Sequence, residues 1–252
     1  MIQYYKATLR IAELWFDEES DGVRADIIRH MQCSIPIEQA RCWNFHTILI
    51  DLNRDADLLL ERIKKDTRYE IRRAMNKDIL KYQLWTAVGP GLLDQFRLTY
   101  DQFAMQKGLP RKISARLTKL ASVGRLALSQ VRNEQGVPLV WHTYYMAKNR
   151  VRLLHSVSLD HDGDSSQRSL LGRANRYHHW EDILAFKAKA IGAYDFGGWY
   201  GGGKDQKKLS INKFKEEFGG EVVLNYNCQS GITLAGKVAV WLYARIKPEH
   251  SS

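Results

Sequence analysis

The sequence predicts an α/β protein with a mixed α+β sheet, and three observations lead to that class. After residue 91 the patterns run helix, helix, three strands in close succession, helix, strand, helix and strand. Asn133-Glu134-Gln135-Gly136 is a hairpin signal between two apolar runs, which predicts antiparallel strands. The 252 residues, 44% of them hydrophobic, can bury a sizeable core in one large domain or two small ones.

The first part of the chain predicts strands around a basic helix. Ala7–Phe16 and the β-branched run Phe45–Leu52 are typical of strands, and Ile79–Trp85 predicts a third strand. Between the last two, Asp55–Lys77 has the apolar spacing of a helix. The basic residues of this helix are Arg62, Lys64, Lys65, Arg68, Arg72, Arg73 and Lys77.

Val88-Gly89-Pro90-Gly91 is the strongest internal break, and we predict a domain boundary there, between residues 1–88 and 89–252. Beyond it, Gly108 is expected to end the helix Leu92–Lys107. The later predicted elements are helix Arg111–Ala121, strands Arg125–Arg132, Val137–Ala147 and Arg150–Leu159, a polar loop Asp160–Ser166, helix Ser169–Ala190, strand Ala193–Phe196, helix Ser210–Phe218 and a final pair of strands.

Charge and cysteine content limit the partners and the compartment. The chain has 38 Lys and Arg against 28 Asp and Glu, a formal charge of +10, which favours polyanionic ligands but also fits a well-solvated basic surface. Cys33, Cys42 and Cys228 are odd in number and lack metal-ligand spacing, so we expect reduced thiols. Because the N-terminus lacks a signal-peptide pattern and no apolar run could span a bilayer, we expect a soluble cytoplasmic protein.

The stretch from Gln167 to Gly220 organises the chemistry. A polar loop carrying arginine and glycine is expected to enter a helix at Ser169, where free N–H groups and the helix dipole favour an anion. The helix leads to a short strand that ends in Asp195-Phe196-Gly197-Gly198. At such an end the backbone can approach a ligand and a carboxylate can point into a cleft.

Several of these motifs together resemble the FemABX-type branch of the GNAT acyltransferase superfamily. They are Gly172-Arg173-Ala174-Asn175, the Asp195 strand end and Phe214-Lys215 followed by Phe218-Gly219-Gly220. In the first half, the strand Ile48–Leu52 and the basic helix Lys64–Ala74 resemble the same family. The resemblance covers most of the chain, from about Phe45 to Val223.

The resemblance implies two GNAT-like halves, with a degenerate first half (1–88) that helps to bind the acceptor and a second half (89–252) that binds the acyl donor and catalyses. It implies acyl transfer from acyl-CoA or aminoacyl-tRNA to an amine. Because the chain lacks a heptad-patterned insertion, we favour acyl-CoA as co-substrate and a nucleotide-linked amino sugar as acceptor, as in sugar N-acyltransferases such as FdhC, which would place it in cell-surface polysaccharide biosynthesis. The alternatives are an aminoacyl-tRNA-dependent peptidyltransferase of the peptidoglycan cross-bridge type and a non-catalytic RNA-binding module. A homo-oligomer is compatible with each.

The resemblance also implies a donor site at the start of the Ser169 helix. The family pattern Gln/Arg-x-x-Gly-x-Gly/Ala is met by Gly172 and Ala174, whereas Ser169 departs from it at the first position. The residues assigned to CoA are Gln167, Arg168, Ser169, Gly172, Arg173 and Ala174. The alternative is an ordinary helix N-terminus.

Acyl transfer to an amine needs a proton acceptor and a group that stabilises the oxyanion. Asp195 is the first candidate for accepting the proton or orienting the amine, and the strand histidines His142 and His155 follow it. Lys215 matches the family's lysine, a position that the resemblance associates with polarising the donor carbonyl or holding phosphate. The alternatives are a loop cap for Asp195, core positions for the histidines and a solvated helix lysine.

The acceptor is assigned to a second set of residues. Arg68 and Arg72, on one helix face, are expected to hold acceptor phosphates, or else to be surface charge. The aromatic residues assigned to the cleft are Tyr144, Tyr145, Trp199 and Tyr200. The alternative for Tyr144 and Tyr145, which is commoner for aromatic residues on strands, is a core position, and the last two residues are expected in an exposed lid.

No metal is predicted. His178 and His179 diverge on a helix, and we find no partner carboxylate at a suitable spacing. No nucleophile elbow and no Walker lysine loop support a hydrolase or an NTPase.

Overall fold

The computed structural model describes residues 1–16, 18–109, 115–158 and 164–246. Its contacts divide the chain into two units. The first comprises Met1–Ile48, Gly198–Asn212 and Val222–Ser252, and the second comprises Leu49–Gly197 and Lys213–Glu221. Within the described residues, no helix is both long enough and apolar enough to cross a bilayer.

Unit 1 is built on a mixed sheet. Its elements are β1 (Ile2–Lys6), β2 (Leu9–Trp15), β3 (Ile27–Cys33), most of β4 (Arg41–Asp51) and of β10 (Glu221–Gly231), and helix α7 (Leu234–Ile246). The strand order is β1-β2-β3-β10-β4, with β2 and β3 parallel and β1 antiparallel to β2. Ile11, Leu14 and Trp15 of β2 are buried, as expected for a strand with both faces covered.

Unit 2 contains strands in parallel and antiparallel pairs, flanked by helices. Its elements are α1 (Ala56–Arg62), α2 (Lys65–Lys77), β5 (Lys81–Trp85), α3 (Pro90–Lys107), α4 (Ala115–Ser122), β6 (Leu126–Arg132), β7 (Pro138–Met146), β8 (Arg150–Ser158), α5 (Ser165–Ala188), β9 (Ala193–Gly198) and the end of α6 (Gln206–Glu216). The strand order is β9-β8-β7-β6-β5, with β9 parallel to β8 and the other pairs antiparallel. Helix α5 packs against α2 and across β6, β7 and β8.

The α/β class with a mixed sheet is confirmed, and many element positions match. Helix α3 ends at Gly108, whose φ of 65° is the left-handed conformation that glycine favours. The hairpin between β6 and β7 forms at the predicted place. Residues 111–114 of one predicted helix and residues 159–163, in a predicted strand end and loop, lie outside the described residues.

Three element predictions are wrong. The basic helix is two helices, because Ile63 is extended and the Lys64 amide donates to the Glu217 carbonyl instead of continuing α1. Helix α5 begins at Ser165 rather than Ser169. The last segment, predicted as the second of two strands, is helix α7, since its β-branched and aromatic residues form a helical stripe.

The expectation of three reduced thiols is also wrong. Cys42 and Cys228 form a disulfide in unit 1, and Cys33 is buried and takes no part in that bond. The two bonded residues are 186 positions apart. They meet because β4 and β10 are neighbouring strands, which spacing along the sequence did not reveal.

The assignment of residues 1–88 and 89–252 to two GNAT-like halves remains a prediction.

Candidate functional site

An arginine-lined cavity lies between helices α2 and α5 of unit 2. Its volume is about 520 Å³. The lining residues are Glu70, Arg73, Ser166, Ser169, Gly172, Arg173 and Arg176. The lining has three guanidinium groups and two hydroxyls but one carboxylate, so it is suited to an anionic, oxygen-rich ligand. We call these seven residues the arginine pocket.

Two of the arginines are held in place by acidic partners. The Arg173 Nε and Nη2 atoms donate to the two carboxylate oxygens of Asp78 at 2.6 and 3.0 Å, and this ion pair raises the pKa of Arg173. The Arg176 Nη2 donates to Glu217 at 3.3 Å, and its guanidinium lies 5.3 Å from the centre of the Phe214 ring. Each ion pair uses only part of the five-donor guanidinium fork, so it fixes the side chain without exhausting its hydrogen-bonding capacity.

The N-terminus of α5 differs from the predicted anion site. Asp164 is the N-cap, and its carboxylate accepts from the Ser166 and Gln167 amides. These are the free amides that a pyrophosphate would have needed, and the cap adds a negative charge beside them. The amides of Gly172, Arg173 and Ala174 lie inside the helix, where they bond to preceding carbonyl groups. Side chains, rather than backbone amides, therefore make the anion-binding surface.

The predicted donor residues separate into two groups. Ser169, Gly172 and Arg173 line the arginine pocket, whereas Gln167 and Arg168 are exposed outside that lining. Ala174 is fully buried in the core of unit 2. Their role in binding CoA remains a prediction.

The predicted acceptor arginines do not form the α2 side of the pocket. Arg68 donates through Nη1 to the Leu60 and Glu61 carbonyls at the end of α1, at 3.4 and 3.2 Å. Arg72 is exposed. Arg73 lines the pocket instead. The assignment of Arg68 and Arg72 to the acceptor phosphates remains a prediction.

Lys215 lies where α6 meets the end of β9. Its Nζ donates to the Gly197 carbonyl at 3.5 Å. Burial, reinforced by the nearby Arg152 and partly opposed by Asp195, lowers the pKa of Lys215 to about 8. A lysine cation held at a strand end is suited to stabilising developing negative charge on a carbonyl oxygen.

The turn that brings the Gly197 carbonyl to Lys215 requires glycine. Gly197 has a φ of 73°, and a Cβ atom there would lie 3.1 Å from the Leu153 carbonyl oxygen. Any other residue would be strained at this position, because its Cβ atom would be crowded and its backbone would have to adopt a positive φ. The glycine predicted from the sequence therefore has a definite structural reason.

Asp195 is fully buried, and both of its oxygens are engaged. Oδ2 accepts from Arg150 Nε at 3.0 Å and Nη2 at 2.6 Å, and Oδ1 accepts from the Gly197 amide at 2.7 Å. Each carboxylate oxygen therefore already has a hydrogen-bond donor from the protein. Its predicted role as general base is untested, and these contacts favour a positioning role.

His142 belongs to a buried polar cluster beneath α5. Its ring stacks between His178 and His179, with centroid distances of 3.7 and 4.2 Å. Its Nδ1 lies 2.7 Å from Asp182 Oδ2, and its Nε2 lies 3.1 Å from Asn175 Oδ1. Burial, followed by the neighbouring histidines and, for His179, by Lys215 and Arg176, lowers the pKa of His178 and His179 well below the usual range.

Asp182 is the centre of this cluster. It accepts from Tyr82 and Tyr144 hydroxyl groups at 2.8 and 2.6 Å as well as lying next to His142. Burial and the Asp182 charge raise the pKa of both tyrosines, so they remain neutral donors. The predicted cleft position of Tyr144 is therefore wrong, because the side chain is in the core.

The reason given for excluding a metal was also wrong. Asp182 stands four residues after His178, the helical spacing that brings two side chains to one face. Among the described residues, ligand atoms of His142, His178 and Asp182 lie within 4.8 Å of one another. The hydroxyl donors to Asp182 provide partners for this carboxylate without an ion.

His155 lies on another side of the sheet. Its ring contacts those of Phe96 and Tyr100, and its Nδ1 lies 2.8 Å from the Thr143 hydroxyl. Burial, then the charges of Arg116 and Arg152, lower its pKa to about 4. His155 is therefore neutral at physiological pH, and its catalytic role remains untested.

The remaining aromatic predictions need correction. Tyr145 is fully buried, so it does not line a cleft. Trp199 and Tyr200 are half-buried rather than exposed. Within unit 1, the Tyr200 amide donates to Asn212 Oδ1 at 2.9 Å, and Asn212 Nδ2 donates back to the Tyr200 carbonyl at 2.7 Å.

Sequence reasoning missed several pocket residues. Arg73 was noted only as one of many charges, and Arg176 was not considered. The signal was present, because Ser169, Gly172, Arg173 and Arg176 follow the i, i+3, i+4, i+7 spacing of one helix face. Placing the helix start at Ser169 concealed that face.

Comparisons with known proteins give a fold but no family. No family model matches the sequence, and no curated protein matches it. Among solved structures, FemX has a TM-score of 0.61 at 13% identity, over 78% of this chain and 63% of the FemX chain. This chain therefore spans less than two thirds of FemX.

Two further structures are an L-PGS and a domain of a putative lysylphosphatidylglycerol synthetase. L-PGS from Bacillus licheniformis has a TM-score of 0.53 at 11% identity, over 87% of this chain and 72% of that one. The C-terminal domain of a putative enzyme from Agrobacterium fabrum has a TM-score of 0.52 at 10% identity, over 85% and 71%. At these identities the likeness shows a shared fold, of the type found in FemX and in these synthetases.

Proposed function

We propose that this chain is an acyltransferase that binds a phosphate-rich acyl carrier in the arginine pocket. The observation that carries the proposal is the convergence of Arg73, Arg173 and Arg176 on one cavity. Planar guanidinium groups bind phosphate oxygens in pairs, and two of the three are already oriented by acidic partners. The fold shared with FemX and the synthetases supports transfer chemistry as the class.

Aminoacyl-tRNA is the donor we favour over acyl-CoA. A CoA pyrophosphate held by helix-start amides would compete with the Asp164 cap. Proteins bind the phosphates of a nucleic-acid backbone through basic side chains and a net positive charge. This chain has pocket arginines and a formal charge of +10. The putative synthetase is named for lysylphosphatidylglycerol, an amino acid joined to a lipid, which agrees with an aminoacyl group as the transferred group.

Lys215 is the group we assign to the reacting carbonyl. The nucleophile of the acceptor attacks the ester carbon, a bond to nitrogen or oxygen forms, and the bond to the ribose oxygen breaks. The proton released by the nucleophile ends on that leaving oxygen. The Lys215 cation stabilises the oxyanion, while the Arg150–Asp195 pair and the Gly197 turn fix the strand end beside it. A nucleotide-linked amino sugar remains one acceptor to test, together with other amines and hydroxyl compounds.

Equilibrium binding of aminoacyl-tRNA tests the donor assignment. Arg73→Ala removes a pocket arginine, whereas Arg72→Ala removes the neighbouring arginine outside the pocket lining and gives the same net charge. We expect Arg73→Ala to weaken binding about tenfold and to lower the salt slope by about 1, with little effect of Arg72→Ala. Equal effects would show that general charge, not the pocket, binds the RNA. Tight binding of a CoA thioester that depends on Arg73, with weak tRNA binding, would favour the acyl-CoA donor.

A further inference from the structure

Helix α7 of unit 1 presents an apolar stripe to solvent. Leu234, Val238, Trp241 and Leu242 occupy positions i, i+4, i+7 and i+8, which form one helical face. Their side chains are 79%, 49%, 52% and 46% exposed. A helix on a protein surface ordinarily turns such a face inward. We call these four residues the α7 stripe.

Contacts at the start of α7 fix which face points outward. A Cβ atom on Gly236 would lie 1.9 Å from the Asp26 carbonyl oxygen, so this side of the helix is pressed against the backbone of its unit. Thr233 anchors the same end of the helix, because its hydroxyl donates to Asp26 Oδ1 at 2.8 Å. The Thr233 carbonyl accepts from the Lys237 amide at 2.8 Å. Gly236 lies roughly opposite the stripe on the helix. The outward orientation is therefore built into the fold.

Charge around the stripe selects its partner. Residues 234–246 contain Lys237 and Arg245 and no acidic residue. The Arg245 guanidinium lies 3.7 Å from the centre of the Trp241 ring, which brings a cation to the edge of the apolar surface. Leucine and valine flanked by tryptophan, arginine and lysine suit the boundary between lipid tails and anionic headgroups.

We propose that the α7 stripe binds the surface of an anionic lipid bilayer. A helix of 13 residues is about 20 Å long, so it would lie in the interface rather than span the membrane. A second copy of this chain is a poorer partner, because each copy carries a formal charge of +10 and one short helix offers little of the roughly 800 Å² that each partner of a stable dimer buries. The proposal does not depend on the acyl-transfer assignment.

Vesicle sedimentation tests this proposal. We expect the full chain to sediment with vesicles of phosphatidylcholine and phosphatidylglycerol, to bind pure phosphatidylcholine less, and to be released as salt increases. Val238→Glu and Leu242→Glu should each weaken binding at least about tenfold, since they place a negative charge in the stripe. Leu98→Glu is the matched control, because Leu98 is 68% exposed on α3 of unit 2. Circular dichroism confirms that each variant is folded.

Several results would overturn the proposal. They are a chain that stays in the supernatant, stripe variants that bind as well as the Leu98 control, and equal binding to neutral and anionic vesicles. A wild-type dimer in light scattering that Val238→Glu converts to a monomer would instead show that a second copy covers the stripe.

Discussion

Arg150 donates two hydrogen bonds to the buried carboxylate of Asp195, from Nε at 3.0 Å and from Nη2 at 2.6 Å. The Gly197 amide holds the other carboxylate oxygen, so the pair fixes the end of β9. Asp195 is completely buried and Arg150 is 15% exposed. Removing one charge of such a pair leaves the other without compensation.

Asp195→Asn should therefore lower the free energy of unfolding by about 3 to 5 kcal/mol. Urea unfolding measures the loss, and the double variant Arg150→Met with Asp195→Asn should recover most of it. An Asn variant that keeps its stability but loses turnover would return Asp195 to the role of general base.

The lowered pKa of Lys215 predicts that the transfer rate falls at high pH. Its pKa of about 8 lies below the ordinary lysine value, so the cation is present at neutral pH and is lost as pH rises through about 8. The transfer rate should fall over that range, and Lys215→Arg should keep the charge and remove this fall while reducing the rate itself. The matched control is Lys213→Arg, an exposed lysine two residues earlier. A rate that rises through pH 8 would mean that neutral Lys215 acts as a base.

Acid should destabilise the fold through its buried histidines. The pKa of His155 is about 4 in the folded chain, against 6.5 for an unperturbed histidine, and those of His178 and His179 are also lowered. Between these values the unfolded chain binds more protons, so stability falls as pH decreases from 6.5 towards 4. His155→Gln should flatten this dependence by up to about 3 kcal/mol. Unchanged slopes in urea unfolding across this range would contradict the burial of His155.

The Cys42–Cys228 disulfide predicts how many thiols react in the unfolded chain. Protein unfolded without reductant should expose one reactive thiol, Cys33, and protein unfolded with reductant should expose all 3 cysteines. Cys228→Ser should cost about 2 to 4 kcal/mol of stability under oxidising conditions, and little when the wild type is reduced. Three reactive thiols without reductant would show that Cys42 and Cys228 are unpaired.

The sequence predicted those parts of the fold that depend on local signals. The Gly108 helix end, the hairpin before β7 and the glycine turn after Asp195 follow from backbone chemistry, and all three occur. Helix α7 was mistaken for a strand because valine, tryptophan and tyrosine favour strands unless tertiary contacts, here at Gly236, select a helix. The start of α5 was misplaced because Asp164 was not recognised as its cap.

Other parts of the site depend on long-range packing. Asp78 is 95 residues from Arg173, and Glu217 is 41 residues from Arg176, so their pairing could not be derived from spacing. His142 reaches Asp182 only because β7 lies under α5. Lys215 was found through the family resemblance, whereas its lowered pKa depends on burial that the sequence does not show.

Single-turnover transfer from labelled aminoacyl-tRNA tests the central claim most directly. With a panel of amine and hydroxyl acceptors, we expect wild-type protein to move the label to an acceptor, and Lys215→Ala to slow that step at least about 100-fold while tRNA binding persists. Lys213→Ala, the exposed neighbour, should react at the wild-type rate. Binding of tRNA with no loss of its ester under any acceptor, or consumption of CoA thioesters alone, would contradict the assignment of an aminoacyl-tRNA-dependent transferase.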